Sequence, residues 1–373
     1  MDIQAKKKTF WSTFKNAYLR SRNLRKFWKN IEKKNLSREL IETFDIYLTS
    51  ESYNWSSKFW RHLTMRHLEL MAKSKDGNYE NIISQEYFTF TYFNEPLIKD
   101  ACSKIQKNNI ELNVNLFKKQ NSFSWTQSLN HNLILLLLYE NIKSRKVFNY
   151  FDKLKSIESK NKDSMPSLKI DKIEITQDKI NSLFEFEQIE KLLDKINLKN
   201  KNFLEIGAGS GRTAKTILSI INDAKYVIAD IPPAINICYE NLRSNFPNKK
   251  IVFGFKTNNK EELNNLIKKN DILFIFPHQI SFFEKKTFDI SLAIDCLHEM
   301  DQEIIKKYMD NFENVSKLLY FKVWEFAGLP YSFYKYYSVH KNEDYSIKNS
   351  WKEHLRERCL YPSNFFQLGY EFE

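Results

Sequence analysis

Cysteine occurs four times in 373 residues (Cys102, Cys238, Cys296, Cys359), far apart and never as a CxxC pair. That spacing indicates neither a disulfide framework nor a thiolate zinc site, and it fits a reducing compartment. Long apolar runs are also missing. The longest, Leu133 to Tyr139, has seven residues, against the roughly 20 that a membrane-spanning helix needs. No apolar stretch of signal-peptide length follows the lysines of MDIQAKKKTF, so the chain reads as cytoplasmic, neither secreted nor membrane-spanning. Acidic residues are scarce at one end. Residues 1–40 hold 12 Lys/Arg against 3 Asp/Glu, while the whole chain carries +12. The basic excess is therefore an arm, and it does not make the whole molecule a nucleic-acid-binding surface. Glycine occurs only seven times.

What is present is apolar and aromatic: 42% and 15% of the residues, the composition of a globular protein long enough for two domains. Residues 1–165 read as an α-helical N-terminal domain. Phe10, Phe14, Ala17, Leu24, Trp28 and Ile31 share one helical face, and windows around Trp55–Met71, Pro96–Ile105 and Thr126–Ile142 repeat that period. The basic face of residues 1–40 suits an anionic membrane surface; the same apolar face would equally pack on the protein, leaving the lysines in water. SIESKNKDSMPSLKIDK, residues 156–172, reads as a linker. From residue 173 to 373 short apolar runs (NFLEI, KYVIAD, KIVFGF, DILFIF, FDISLAI, KLLYFKV) alternate with helical ones (TAKTILSI, PAINICYENLRSNF, KEELNNLIKK, QEIIKKYMDNFENV). Such alternation predicts an α/β domain with a parallel sheet covered on both faces.

Three of the seven glycines, Gly207, Gly209 and Gly211, stand on alternate positions directly behind NFLEI. A tight turn from strand into helix needs residues without a Cβ where backbone and ligand meet. The dinucleotide turn GxGxxG would require glycine at 212, where the chain has Arg212. The pattern is instead Glu205-x-Gly207-x-Gly209-x-Gly211, with Asp230 ending the next strand 19 residues after Gly211. Two readings stand side by side: Glu205 and Asp230 cap the turn and the helix beginning at Pro232, or they face a ligand.

The acidic lead, the alternating glycines and the spaced Asp230 together resemble the class I S-adenosyl-L-methionine-dependent methyltransferases. The resemblance implies a Rossmann-like, mostly parallel seven-stranded sheet. It implies that Glu205 and the glycine turn lie along the methionine part of the cofactor, that Asp230 takes the ribose hydroxyls, and that Ile231 packs on adenine. Pro277 and His278 of FPHQ would lie near adenine or the acceptor, and Asp295 near the methionine end. Methyl transfer to a hydroxyl needs a general base. His298 is the first candidate and Glu299 the second, because CLHEM follows FDISLAI as the acid–base pair does in small-molecule O-methyltransferases. A hydrogen-bonded structural role for His298 is the alternative. A divalent metal on Asp295 and Glu299, as in some sugar methyltransferases, would be another arrangement but is not expected. DIPP at 230–233 resembles the (D/N)PP(Y/F) signature of nucleic-acid amino-methyltransferases but follows the wrong strand, and Cys296 lacks the preceding proline of cytosine-C5 enzymes; both count against nucleic acid. EIGAGSG, ADIPP, DILFIFPHQ and CLHEM, over about residues 180–325, most resemble the bacterial family of sugar O-methyltransferases linked to surface-polysaccharide synthesis. That implies a sugar or glycan acceptor, nucleotide- or lipid-linked. Tyr331, Phe333, Tyr334, Tyr336 and Tyr337 are candidate stacking surfaces for it, and candidate packing residues as well.

Overall fold

Strands that are apolar throughout must be covered on both faces, and they build the middle of this protein. The structure, a computed structural model, describes residues 24–74, 125–155, 167–170, 173–195, 201–328 and 336–373. Helices α1 (Leu24–Asn30), α2 (Arg38–Thr49), α3 (Lys58–Lys73), α4 (Trp125–Lys143) and α5 (Phe151–Lys155) lead into a hairpin of β1 (Ser167–Ile170) and β2 (Ile173–Thr176). The expected linker thus ends in a strand. There follow α6 (Gln177–Lys195), β3 (Asn202–Ile206), α7 (Arg212–Ile220), β4 (Lys225–Ala229), α8 (Ala234–Asn245), β5 (Ile251–Phe253), α9 (Lys260–Lys269), β6 (Ile272–Ile275), β7 (Phe288–Ile294), α10 (Gln302–Val315) and β8 (Ser316–Trp324). A small pair, β9 (Phe326–Gly328) and β10 (Tyr336–Ser338), precedes the edge hairpin of β11 (Lys352–Arg358) and β12 (Phe365–Glu371).

The main sheet has eight strands in the order β11-β12-β8-β7-β3-β4-β6-β5, and β12 alone runs against the rest. The Rossmann-like α/β architecture behind a helical region is as expected; the seven-strand count is not. The extra strand arises because β6 inserts between β4 and β5, so that β5 becomes the edge. Local chemistry sets the helix starts. Ser37 and Ser57 accept the Leu40 and Trp60 N–H groups at 3.1 and 3.2 Å. Asn259 caps α9 by accepting from Glu261 and Glu262, and that helix carries acids in its first turn and lysines in its last, matching its dipole.

One sheet face packs Phe203, Tyr226, Ile228 and Ile290 against Phe186 of α6, Ile217 of α7 and Ile235 of α8. The other packs Leu204, Val227 and Phe321 against Leu263 of α9 and Phe312 of α10. The first core continues without a break into the N-terminal helices through Trp28, Phe44, Tyr47 and Leu68. Leu24 and Trp28 are buried there, Trp28 lying 4.3 Å from the Phe44 ring, and Ile31 packs against the same core. This stretch of the basic arm's apolar face is thus turned to the protein. Phe10, Phe14 and Ala17 lie outside the described residues, as does the Pro96–Ile105 window. Among the described residues no helix is long and apolar enough to cross a membrane.

Candidate active site

From β3 the chain goes through α7 to β4 on one side, and from β7 through α10 to β8 on the other. The crevice between those two departures, beyond the carboxyl ends of the strands, is where open α/β sheets bind ligands. The glycine turn lies there. Gly207, Gly209 and Gly211 have φ values of 61°, 58° and 79°, all in the left-handed region that a side chain disfavours. Two of them are also pinned by packing. A Cβ on Gly207 would approach the Cys296 Cβ to 2.8 Å, and one on Gly211 would approach the Cys238 Sγ to 2.6 Å, so the turn is wedged between the end of β7 and α8.

The Gly209 N–H donates to Asp230 Oδ2 at 3.1 Å and the Ile231 N–H to Asp230 Oδ1 at 2.7 Å. Burial raises the Asp230 carboxyl to about 7, against the lowering effect of those two amides. Asp230 does not cap the next helix: α8 starts at Ala234 behind Pro233, without a side-chain cap. Glu205 lies one strand over and accepts the Tyr226 hydroxyl at 2.7 Å. Its bond is thus to a neighbouring strand rather than to the turn, and burial raises it to about 7 as well. The capping readings of both acids give way to a carboxylate held at the turn and a buried acid beneath it.

The end of β7 places Asp295 in the left-handed region at φ 60°. Its carboxylate meets Arg212 Nη2 at 3.0 Å and Lys322 Nζ at 3.3 Å. Arg212 in turn grips Glu185 of α6 through both nitrogens, at 2.6 and 2.9 Å, and Lys322 reaches the same carboxylate at 3.0 Å. Burial opposes the charge on Glu185, but the Arg212 guanidinium and Lys322 ammonium outweigh it and hold the carboxyl below its usual range. Two acids and two bases therefore form a closed neutral network beside the turn. Glu185, Arg212 and Lys322 were not foreseen as site residues; the one signal was an arginine at the position where a dinucleotide turn would carry glycine. With two cations on Asp295, a divalent ion there would meet like charge.

His298 stacks on Trp324 at 4.9 Å and meets the Phe365 ring edge-on at 5.8 Å. Among the described residues its Nδ1 has no hydrogen-bond partner. Burial, helped by the Lys322 charge, lowers its imidazole to about 3. The adjacent Glu299 is half-buried and accepts a hydrogen bond from Trp60 of α3; burial, with the Asp295 charge, raises it to about 8.

Pro277 and His278 open a 3₁₀ turn behind β6. The Asp230 N–H donates to the Ile275 carbonyl at 3.2 Å, so this turn starts beside Asp230 and Ile231. His278 is tied to Ser52 of the N-terminal region: its N–H donates to the Ser52 Oγ at 3.0 Å, and its Nδ1 lies 2.7 Å from the same oxygen. Burial lowers the His278 imidazole. Asn236 of α8 donates to the Thr43 hydroxyl at 3.2 Å, and Tyr47 packs 5.8 Å from the Phe276 ring. The helical region thereby covers the ends of β4, β6 and β7. Of the aromatic candidates, Tyr336 is 79% exposed while Tyr337 is buried beside Tyr345; Tyr331, Phe333 and Tyr334 lie outside the described residues.

No family model matches the chain, and no curated protein matches it. Solved structures to which it is similar include the PH0226 protein from Pyrococcus horikoshii OT3, at 13% identity over 50% of this chain and 91% of that one, with a TM-score of 0.34. Another is an S-adenosylmethionine-dependent methyltransferase from Clostridium acetobutylicum ATCC 824, at 10% identity over 50% and 90%, with a TM-score of 0.35. A third is magnesium protoporphyrin IX methyltransferase from Synechocystis PCC 6803 with bound SAM, at 10% identity over 63% and 96%, with a TM-score of 0.35.

Proposed function

We propose that this chain is an S-adenosyl-L-methionine-dependent O-methyltransferase that acts on a sugar hydroxyl in surface-polysaccharide or other glycan synthesis. The observation that carries the proposal is the union of three left-handed glycines with the Asp230 carboxylate through the Gly209 N–H, at the sheet's switch point. The residues fit the cofactor. Each Asp230 oxygen takes one backbone N–H, and a carboxylate oxygen has further lone pairs that the two ribose hydroxyls would fill. Ile231 and Pro277 give apolar surface beside it, Asp295 at the end of β7 would stand towards the methionine end, and Glu205, bonded to Tyr226, lies beneath the turn.

When bound, the cofactor supplies an electrophilic methyl group on a sulfonium. The chain's part is to position the acceptor hydroxyl and remove its proton. Glu299 suits that better than His298: a base at about 8 is matched to neutral solution, whereas an imidazole at about 3 holds a proton too weakly. Asp295, engaged by Arg212 and Lys322, acts as an oriented anion and needs no metal in this scheme. The described helices α2 and α3 and the turn between them, through Thr43, Tyr47, Ser52 and Trp60, form a cover that excludes water from the reaction, and the sheet that follows carries the catalytic residues. The acceptor is nucleotide- or lipid-linked and nucleic acid is not a substrate; because Leu24, Trp28 and Ile31 are packed into the protein, a peripheral contact of residues 1–40 with an anionic membrane would be made by the basic side chains alone.

The test is transfer of an isotope-labelled methyl group from the cofactor to a panel of nucleotide sugars, phenols and amines. Label in a sugar with release of S-adenosylhomocysteine supports the proposal. Label confined to phenols or amines would replace the acceptor, and the absence of any turnover would remove the enzyme reading.

A further inference from the structure

The four charges beside the glycine turn are graded by depth. Asp295 keeps 26% of its side chain exposed and Arg212 15%, whereas Lys322 and Glu185 keep only 2% and 3%. Asp295 is thus the member that opens towards the crevice, and the two deepest groups act there through it. Lys322 does so directly, at 3.3 Å from the Asp295 carboxylate. Glu185 does so through its bridges of 2.6 and 3.0 Å to Arg212 and Lys322.

Stability is a poor reason for such a cluster. Taking charges out of water is costly, and well-packed apolar side chains in their place are often as stable or more so. Two features tie the cluster instead to the loop that carries the proposed base. Asp295 holds a left-handed backbone at φ 60° without being glycine, a strained conformation that persists only where the surroundings impose it. The two cations on its carboxylate help to impose it. From Asp295 the chain turns at once through Leu297–Glu299, where the Glu299 N–H donates to the Cys296 carbonyl at 3.1 Å, so Asp295 and Glu299 share one short loop.

Few charged groups face Glu299. Burial comes first in raising its carboxyl and the like charge of Asp295 adds to it, while a hydrogen bond from Trp60 of α3 works the other way. The Cys296 thiol on the same loop is kept protonated by burial. Strand β8 brings Lys322, whose charge adds to burial in lowering the adjacent His298 imidazole. Strand β9, which also packs on this turn, has no titratable side chain. The field at Glu299 is therefore that of Asp295 together with the cations that balance it.

We infer that Glu185 and Lys322 are positioning residues of the proposed reaction: without meeting the reacting atoms, they hold the Asp295 carboxylate in place and set the net charge that Glu299 faces. The inference rests on the transferase reading above, with Glu299 as its base, and adds the groups that tune that base. Its signs are opposed. Glu185→Gln leaves the cluster with one positive charge in excess, which favours the ionised Glu299 carboxylate. Lys322→Met leaves one negative charge in excess, which favours the protonated acid. The double variant is neutral again.

The test reads the protonation of Glu299 in the full-length protein by carbon-13 NMR titration of the glutamate carboxyls, the Glu299 signal being the one that Glu299→Gln removes. The pH profile of labelled methyl transfer is recorded alongside. The expected midpoint lies at least about half a pH unit below wild type in Glu185→Gln and as far above it in Lys322→Met. The double variant returns towards wild type, and the pH profile moves in step. Should one single variant fail to fold, the other keeps its predicted sign against wild type and the double variant. Unmoved midpoints in folded variants, or shifts of the same sign in both, are what a merely structural cluster would give, and they overturn the inference. Opposed shifts in a chain that methylates no acceptor would leave the coupling standing and overturn the transferase reading instead.

Discussion

Burial moves the Glu299 carboxyl up to about 8 and the adjacent His298 imidazole down to about 3, so two neighbouring residues are prepared for different work. If Glu299 is the base, it must be ionised to accept the acceptor's proton, and turnover should rise with pH and level off above about 8. Glu299→Gln should lower kcat by roughly 10²-fold or more and flatten that rise. His298→Ala should chiefly cost stability, because it empties the space against Trp324 and Phe365. The converse, a larger kcat loss in His298→Ala with the pH profile unchanged in Glu299→Gln, would return the base to the imidazole. Both residues were legible as candidates because they stand directly behind a strand. Their order was not, because the groups that set their environments, Trp60, Trp324 and Phe365, are distant in sequence.

Among the elements, the glycine turn is where local and tertiary requirements coincide. Gly211 combines a φ of 79° with a Cβ position 2.6 Å from the Cys238 Sγ, and Gly211→Ala should therefore lower unfolding stability by about 1–3 kcal/mol in denaturant titration. Cys238→Ala in the same chain should recover part of that loss by removing the contact; no recovery would assign the whole cost to the backbone. Strands β3 to β8 and helices α7 to α10 could be read because their apolar runs are continuous or strictly periodic. β11 escaped notice because KEHLRER is the charged, half-exposed edge of the sheet. Asn181, Glu185 and Gln188 interrupt the apolar stripe of α6, so the helix that supplies Glu185 to the charge network gave a weak signal. That β6 inserts between β4 and β5 depends on which strands pair across the sheet, and the apolar pattern of neither strand encodes it.

Taken as a whole molecule, the N-terminal helices and the sheet share a core that runs from Leu24 to Tyr361, and the cover over the strand ends is fastened by Ser52 to His278 and by Thr43 to Asn236. The described residues on either side of the change of texture, Phe151 and Leu154 of α5 and Ile175 of β2, belong to that one core. Everything proposed for the molecule depends on the Asp230 carboxylate binding the cofactor. Buried at about 7, it is largely protonated at pH 6.5, and ribose hydroxyls that donate to it favour the ionised form. Binding should therefore release protons and tighten as pH rises through 7. The measurement is calorimetric titration of S-adenosyl-L-methionine into the full-length protein at pH 6.5, in two buffers of different ionisation enthalpy. The account predicts one site with net proton release in wild type, and in folded Asp230→Asn an affinity at least about tenfold weaker with the proton release gone. Undiminished binding to Asp230→Asn, or no binding to the folded wild-type chain, would contradict it.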